Sequence, residues 1–99
     1  MAVVVFRSRV DEGHREEFDV VAQRMLELAR GMPGFLLYKF FSAEDDERVS
    51  IIEFETAEHA ADWGRQSEHL EAQRAGRDRF YTEYSVQTCE VVRERRFKR

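Results

Sequence analysis

The chain has 99 residues, of which 42% are hydrophobic and 36% charged, and its formal net charge is −4. This length supports one domain with one core, and the composition excludes an intrinsically disordered chain. The acidic balance argues against nucleic acid as a partner, because phosphate binding needs a basic surface. No apolar run reaches the roughly 18 residues of a membrane span, and the N-terminal segment lacks the pattern of a signal peptide. We therefore expect a soluble cytoplasmic protein with a single domain, residues 1–99, and a basic tail from about residue 94.

The first half of the chain predicts a strand, a helix and a hairpin. Residues 2–10 are rich in valine, which favours a strand. From His14 to Arg30 the apolar side chains follow the spacing of an amphipathic helix, which Gly31 and the Pro33-Gly34 pair end. Residues 35–43 and 48–55 are two further predicted strands, and the short acidic link between them predicts an antiparallel hairpin.

The second half predicts two helical segments and a last strand. Thr56 is a predicted N-cap, because its hydroxyl can accept a hydrogen bond from an amide of the next helix, residues 57–64. Ser67 can cap a second, weakly apolar helical run over residues 68–81. Residues 84–95 predict the last strand, and we expect its Cys89, the single cysteine, to be a buried, inert thiol.

The order strand, helix, strand, strand, helix, strand predicts a ferredoxin-like βαββαβ fold of the α+β class. Such a fold has a four-stranded antiparallel sheet with its helices on one face. The stretch "GFLLYKFF" nevertheless carries bulky apolar side chains toward both faces, with Phe35, Leu37 and Phe41 on one and Leu36, Tyr38 and Phe40 on the other. Each such side chain left in water forgoes roughly 1.5–3 kcal/mol. We therefore expect a homodimer in which a second copy of the sheet covers the face that the helices leave bare.

Three stretches resemble the antibiotic biosynthesis monooxygenase (ABM) family: "MPGFLLYKFF", "VSIIEFETAEHAADW" and "WGRQSEHLEAQ". The resemblance covers about residues 2–93. It implies a dimeric α+β barrel with a pocket between helices and sheet in each subunit. Some members of the family oxidise polyketide or quinol-like aromatics with molecular oxygen and neither metal nor flavin, whereas others degrade haem.

Several site residues follow from this resemblance. Trp63 matches the pocket tryptophan of the family, although it could equally be a core residue. His59 stands where members that oxidise aromatics often have an asparagine, and His69 matches a tyrosine. The haem-degrading members need an asparagine on the first strand and a ligating histidine near the position of Gln73. This chain contains no asparagine, so the resemblance disfavours haem degradation.

A cofactor-free oxygenation needs a base for a phenolic proton, a stabilised anion and a dry pocket. His69 and His59 are the candidate bases, because histidine titrates near neutral pH; exposed helix positions are the alternative interpretation of both. The predicted substrate-binding residues are Trp63, Tyr38, Phe6, Phe54, Phe80, Tyr81 and Arg7. The three histidines show no metal-binding spacing, and we expect neither a metal nor another cofactor.

The sequence therefore predicts a cofactor-independent monooxygenase that acts on a small hydroxylated aromatic or quinol-like substrate. The alternative is a non-catalytic dimeric module of the same fold that binds a small hydrophobic ligand. The missing asparagine favours the alternative, whereas Trp63 with two nearby histidines favours the enzyme.

Overall fold

The computed structural model describes all residues, 1–99. The strands are β1 (Ala2–Val10), β2 (Phe35–Ser42), β3 (Arg48–Phe54) and β4 (Tyr81–Glu90), and the helices are α1 (Arg15–Arg30), α2 (Ala57–Arg65) and α3 (Ser67–Ala75). A short 3-10 turn, Glu12–His14, leads into α1, and a wide π turn, Gly76–Phe80, leads from α3 into β4. Residues 91–99 continue beyond β4 without regular secondary structure.

The four strands form one antiparallel sheet in the order β2-β3-β1-β4. The helices pack on one face of this sheet, where a hydrophobic core joins sheet residues to residues of α1 and α2: Ala2, Ile52, Phe54, Met25, Ala29, Ala60 and Trp63. The predicted α+β, ferredoxin-like fold is confirmed. None of the helices combines the length and apolarity needed to cross a lipid bilayer.

Side-chain caps fix where α2 and α3 begin. Thr56 Oγ1 accepts a hydrogen bond from the amide of His59 at 3.1 Å, which confirms the predicted N-cap of α2. The cap of α3 is Gln66 rather than Ser67, because the Gln66 Oε1 accepts from the amide of His69 at 2.7 Å. The backbone of Gln66 leaves the helical region with a ψ of 133°, which keeps α2 and α3 separate.

The last strand begins and ends earlier than the sequence predicts. Gly76 follows α3 and approaches the ring of Tyr81 so closely that a Cβ would lie 2.5 Å from it, and Tyr81 already pairs with Val10 of β1. At the other end β4 stops at Glu90, because its partner strand begins at Ala2, the residue opposite Glu90. The predicted limits of 84–95 are wrong because the length of an edge strand depends on its neighbour.

A bulge in β2 changes which side chains share a face. Phe35 pairs with Phe54 and Leu37 pairs with Glu53, so Leu36 is an extra residue in β2. Phe35 therefore joins the helix-covered face, where its ring packs edge-on against Phe54 with centroids 6.1 Å apart. The prediction that Phe35 points the same way as Leu37 is wrong.

The other face of the sheet carries no helix, and we call it the open face. Its apolar side chains are Val3, Val5, Leu37, Phe41, Val49 and Ile51. All of them keep exposed surface, and Phe41 is 53% exposed. Cys89 lies opposite Val3 on β4 and is exposed. The expectation of a buried thiol is therefore wrong for a single chain, because nothing in that chain covers this side of β4.

Gly34 is the one residue of the β2 entrance whose backbone needs glycine. Its φ is 78°, and a Cβ there would lie 2.3 Å from Nδ1 of His59. We predict that Gly34→Ala lowers the free energy of unfolding by about 1–2 kcal/mol, because the left-handed backbone disfavours a side chain and the new methyl group collides with the imidazole. Urea unfolding measures this change.

Gly64→Ala is the matched control for Gly34→Ala. A Cβ at Gly64 meets nothing within 4 Å, and alanine favours the helix there, so we expect no loss of stability. Equal free energies of unfolding for Gly34→Ala and the wild type would contradict the prediction.

Candidate functional site

A cavity of about 370 Å³ lies between the sheet and the helices. Most of its wall is apolar or aromatic, including Val4, Phe6, Phe18, Val21, Met25, Ile52, Phe80 and Val86. Its volume falls within the roughly 300–1,000 Å³ of small-molecule sites. An apolar space of this size suits a flat organic ligand.

The junction of α2 and α3 places an imidazole at the wall of this cavity. His69 stacks on the buried ring of Trp63, with centroids 3.9 Å apart and planes inclined by 15°. Nδ1 of His69 lies 2.8 Å from the carbonyl oxygen of Trp63. Gln73 makes a similar contact one turn later, where its Nε2 donates to the carbonyl oxygen of Gly64 at 3.0 Å. Two side chains of α3 thus bind the C-terminal end of α2.

The contact with the Trp63 carbonyl fixes the tautomer of His69. A carbonyl oxygen accepts but cannot donate, so Nδ1 carries the proton. Nε2 is then the basic nitrogen of the neutral ring; it has no hydrogen-bond partner in the chain and is not sealed from solvent. Burial lowers the pKa of His69 below its ordinary 6.5, and the bond to the Trp63 carbonyl opposes this shift. His69 is therefore a neutral base with a free nitrogen at neutral pH.

Two tyrosines at the cavity wall stay protonated. Burial raises the pKa of Tyr38 to about 12, and the side chain of Ser50 acts in the opposite direction. Burial also raises the pKa of Tyr81, and the neighbouring Tyr38 adds to the rise. Both hydroxyls can therefore donate hydrogen bonds to an oxyanion at neutral pH.

Arg48 also lines the cavity, although no motif of the sequence marks it as a site residue. Its guanidinium carbon lies 5.1 Å from the centroid of the Phe18 ring. The alternation of side chains along β3 is the one feature of the sequence that could have identified Arg48 as a residue of the helix-covered face. Arg48 shares its face with Ile52 and Phe54, and both of these belong to the core.

The structure brings six of the predicted site residues to the cavity: His69, Trp63, Tyr38, Phe6, Phe80 and Tyr81. Three others lie elsewhere. The ring of His59 contacts its own helix cap, with Nδ1 3.0 Å from Thr56 Oγ1. Phe54 is fully buried in the core. Arg7 lies on the open face, where two of its nitrogens bind the carboxylate of Glu47 at 2.9 and 3.1 Å.

The polar groups of the cavity are hydroxyls, one imidazole, one carboxamide and one guanidinium: Ser8, Ser50, Thr88, Tyr38, Tyr81, Tyr84, His69, Gln73 and Arg48. No three His, Cys, Asp or Glu side chains are grouped so that they could hold a metal ion. The groups present can orient a phenol or a carbonyl compound, remove a proton and bind the resulting anion.

Residues 1–75 match the family model described as antibiotic biosynthesis monooxygenase. The chain belongs to this family. YqjZ of Bacillus subtilis (strain 168), an uncharacterized protein, is 29% identical over 92 residues, which are 93% of this chain and 77% of YqjZ. The resemblance read from the sequence motifs is confirmed.

Solved structures share the fold of this ABM protein. A structure from Deinococcus radiodurans that bears the family name has a TM-score of 0.87 and 11% sequence identity, over 99% of both chains. A mutant form of SnoaB, a cofactor-independent oxygenase from Streptomyces nogalater, has a TM-score of 0.79 and 19% identity, over 94% of both chains. At these identities the likeness shows a common fold.

The lowered pKa of His69 predicts how stability depends on pH. Because this pKa is lower in the folded than in the unfolded chain, His69 takes up a proton on unfolding, and stability falls as the pH drops below 6.5. We predict that the free energy of unfolding falls less in His69→Gln than in the wild type between about pH 7.5 and 5.5, because the variant lacks this proton uptake. Urea unfolding at both pH values measures it.

His14→Gln is the control, since His14 lies at the surface beside Glu17 and does not line the cavity. It removes one histidine from the surface and keeps His69, so it shows the effect of losing a histidine outside the cavity at the same two pH values. A His69→Gln protein with the same pH dependence as the wild type would contradict the prediction.

Proposed function

We propose that this protein is a cofactor-independent monooxygenase that acts on hydroxylated aromatic or quinol-like compounds. The observation that carries the proposal is the neutral imidazole of His69, which lines a mostly apolar cavity and whose Nε2 has no hydrogen-bond partner in the chain. A neutral imidazole has a free lone pair that can accept a phenolic proton. Membership of the ABM family supports the same class of reaction, as does the description of SnoaB as a cofactor-independent oxygenase.

In the proposed reaction the substrate supplies all the electrons. Nε2 of His69 takes the phenolic proton, and the phenolate passes one electron to dioxygen, which gives a phenoxyl radical and superoxide. These combine at the ring carbon para to the oxygen, and His69 returns its proton to the resulting peroxide. Loss of the proton from that carbon with cleavage of the O–O bond gives a quinone and water. One phenol and one O₂ thus yield one quinone and one water.

Other residues of the cavity have supporting roles in this proposal. Trp63 is a positioning residue, because it is only 3% exposed and holds His69 both by its ring and by its carbonyl. Tyr38, whose hydroxyl stays protonated, donates a hydrogen bond to the phenolate oxygen. The surrounding phenylalanines exclude water, which strengthens the electrostatic interactions of the anion.

A non-catalytic module that binds a small hydrophobic ligand is the second candidate function. The absence of asparagine favours it, since His59 stands where family members that oxidise aromatics often have that residue. His59 does not take over the role, because its ring contacts Thr56 and not the cavity.

We also propose that the protein is a homodimer joined through the open face. The apolar side chains of this face would otherwise stay in water, and Phe41 is the most exposed of them. The arginines beside them are already paired: Arg7 binds Glu47, and Arg9 binds Asp45 at 2.7 Å. A second copy could therefore cover the part of this face beside Arg7 and Arg9 without leaving either arginine unpaired.

The catalytic part of the proposal is tested by oxygen uptake with a panel of naphthols and quinols. His69→Ala is expected to lower the rate by about 10²–10⁴-fold, because this is the usual contribution of a positioned general base. His14→Ala should keep the rate of the wild type. The result against the enzyme would be no uptake with any compound, together with equal binding of these compounds by the wild type and His69→Ala.

The dimer is tested by analytical ultracentrifugation at micromolar concentration. The wild type is expected to sediment at twice the 11.8 kDa of one chain. Ile51→Lys on the open face should sediment as a monomer, because it would bury an unpaired charge. Val20→Lys, at an exposed position of α1, is the matched control and should stay dimeric. A folded, soluble wild-type monomer would contradict the proposal.

A further inference from the structure

One part of the cavity wall carries a cation that makes only a long ionic contact and no side-chain hydrogen bond within the chain. The side chain of Arg48 is 28% exposed, whereas every other arginine in an ion pair is at least 36% exposed. Its only ionic contact, from Nη1 to Asp19 Oδ1, is 3.7 Å long, and it makes no side-chain hydrogen bond. By contrast, Arg7, Arg9 and Arg24 each bind a carboxylate at 2.7–3.2 Å. A half-buried guanidinium without such an acceptor is suited to an anion that enters from the cavity.

The neighbours of Arg48 make this part of the cavity polar. The ring of Phe18 packs over the guanidinium and holds it in place. Ser8, which is 3% exposed, is the cross-strand partner of Arg48 on β1, and Tyr84 is the partner of Ser8 on β4. All of them line the cavity. A serine and a tyrosine hydroxyl thus accompany the cation.

The base lies on a different element from Arg48, although both side chains line the cavity. His69 stands on α3 against Trp63, whereas Arg48 begins β3, on the same face as the core residue Ile52. A cavity of roughly 150 Å³ accommodates one benzene ring, whereas this cavity measures about 370 Å³. The space is therefore large enough for a fused-ring ligand that contacts both side chains.

We propose that Arg48 determines substrate specificity by binding a carboxylate at one end of a fused-ring hydroxyaromatic whose hydroxyl group, at the other end, meets His69. The guanidinium and a carboxylate form two parallel hydrogen bonds, and a charged pair of this kind is stronger than one between neutral groups. The identity of the hydroxyl end rests on the proposed oxygenase function. The carboxylate end depends only on binding.

Equilibrium binding of two fluorescent probes tests this proposal without oxygen. One probe is a hydroxynaphthoate with its hydroxyl and carboxylate at opposite ends of the ring system, and the other is the naphthol that lacks the carboxylate. The wild type is expected to bind the naphthoate about 10-fold more tightly or better, because hydrogen bonds to charged groups contribute about this much. Arg48→Met should bind both probes about equally, because it removes the partner of the carboxylate.

Two further variants make the result specific to Arg48. Arg65→Met removes the same charge from an exposed position of α2 and should keep the preference for the naphthoate. Arg48→Lys keeps the charge near Asp19 but loses the planar fork, so it should fold and show a smaller preference. Equal binding of the probes by the wild type, or a full preference in Arg48→Met or Arg48→Lys, would overturn the proposal.

The outcome is independent of the outcome for the oxygenase. A preference for the naphthoate without any oxygen uptake would reject the reaction and keep the carboxylate site. Oxygen uptake without that preference would reject the carboxylate site and keep the reaction.

Discussion

The C-terminal end of α2 sets the chemistry of the cavity. Carbonyl groups in the last turn of a helix lack partners within the helix. Here the carbonyl of Trp63 accepts from the amide of Gln66 at 3.2 Å and also from His69, and Gln73 binds the carbonyl of Gly64. Each bond contributes on the order of 1 kcal/mol to stability. The bond from the imidazole has a larger consequence for function, because it places the only ring proton of neutral His69 on Nδ1 and leaves Nε2 free. The hydrogen bond that His69 adds at this helix end therefore also prepares a base.

This arrangement depends on the break between the two helices. In one continuous helix, Trp63 and His69 would be separated by about 600° of rotation at 100° per residue, so they would point to different sides. The extended backbone of Gln66 interrupts the helix, and its side chain caps the new one. The turn lets the imidazole lie flat on the indole at 3.9 Å, which keeps it buried and lowers its pKa.

Much of the fold could be predicted from the sequence because its signals are local. The apolar spacing of α1 and the cap at Thr56 need no knowledge of the rest of the chain. The bulge at Leu36 and the end of β4 could not be predicted, since each depends on the register with a neighbouring strand. The same limit applies to the site. Motifs indicated His69, but only the packing shows that His59 faces its own helix cap and that Arg48 reaches the cavity.

The central claim is that His69 is a neutral base protonated at Nδ1 and free at Nε2. Long-range proton–nitrogen NMR correlations of uniformly ¹⁵N-labelled protein at neutral pH report this tautomer directly. One pyrrole-like resonance at Nδ1 and one pyridine-like resonance at Nε2 are expected, and the latter should shift when a naphthol binds and donates a hydrogen bond to it. A proton on Nε2, or a doubly protonated ring, would contradict this assignment of the base.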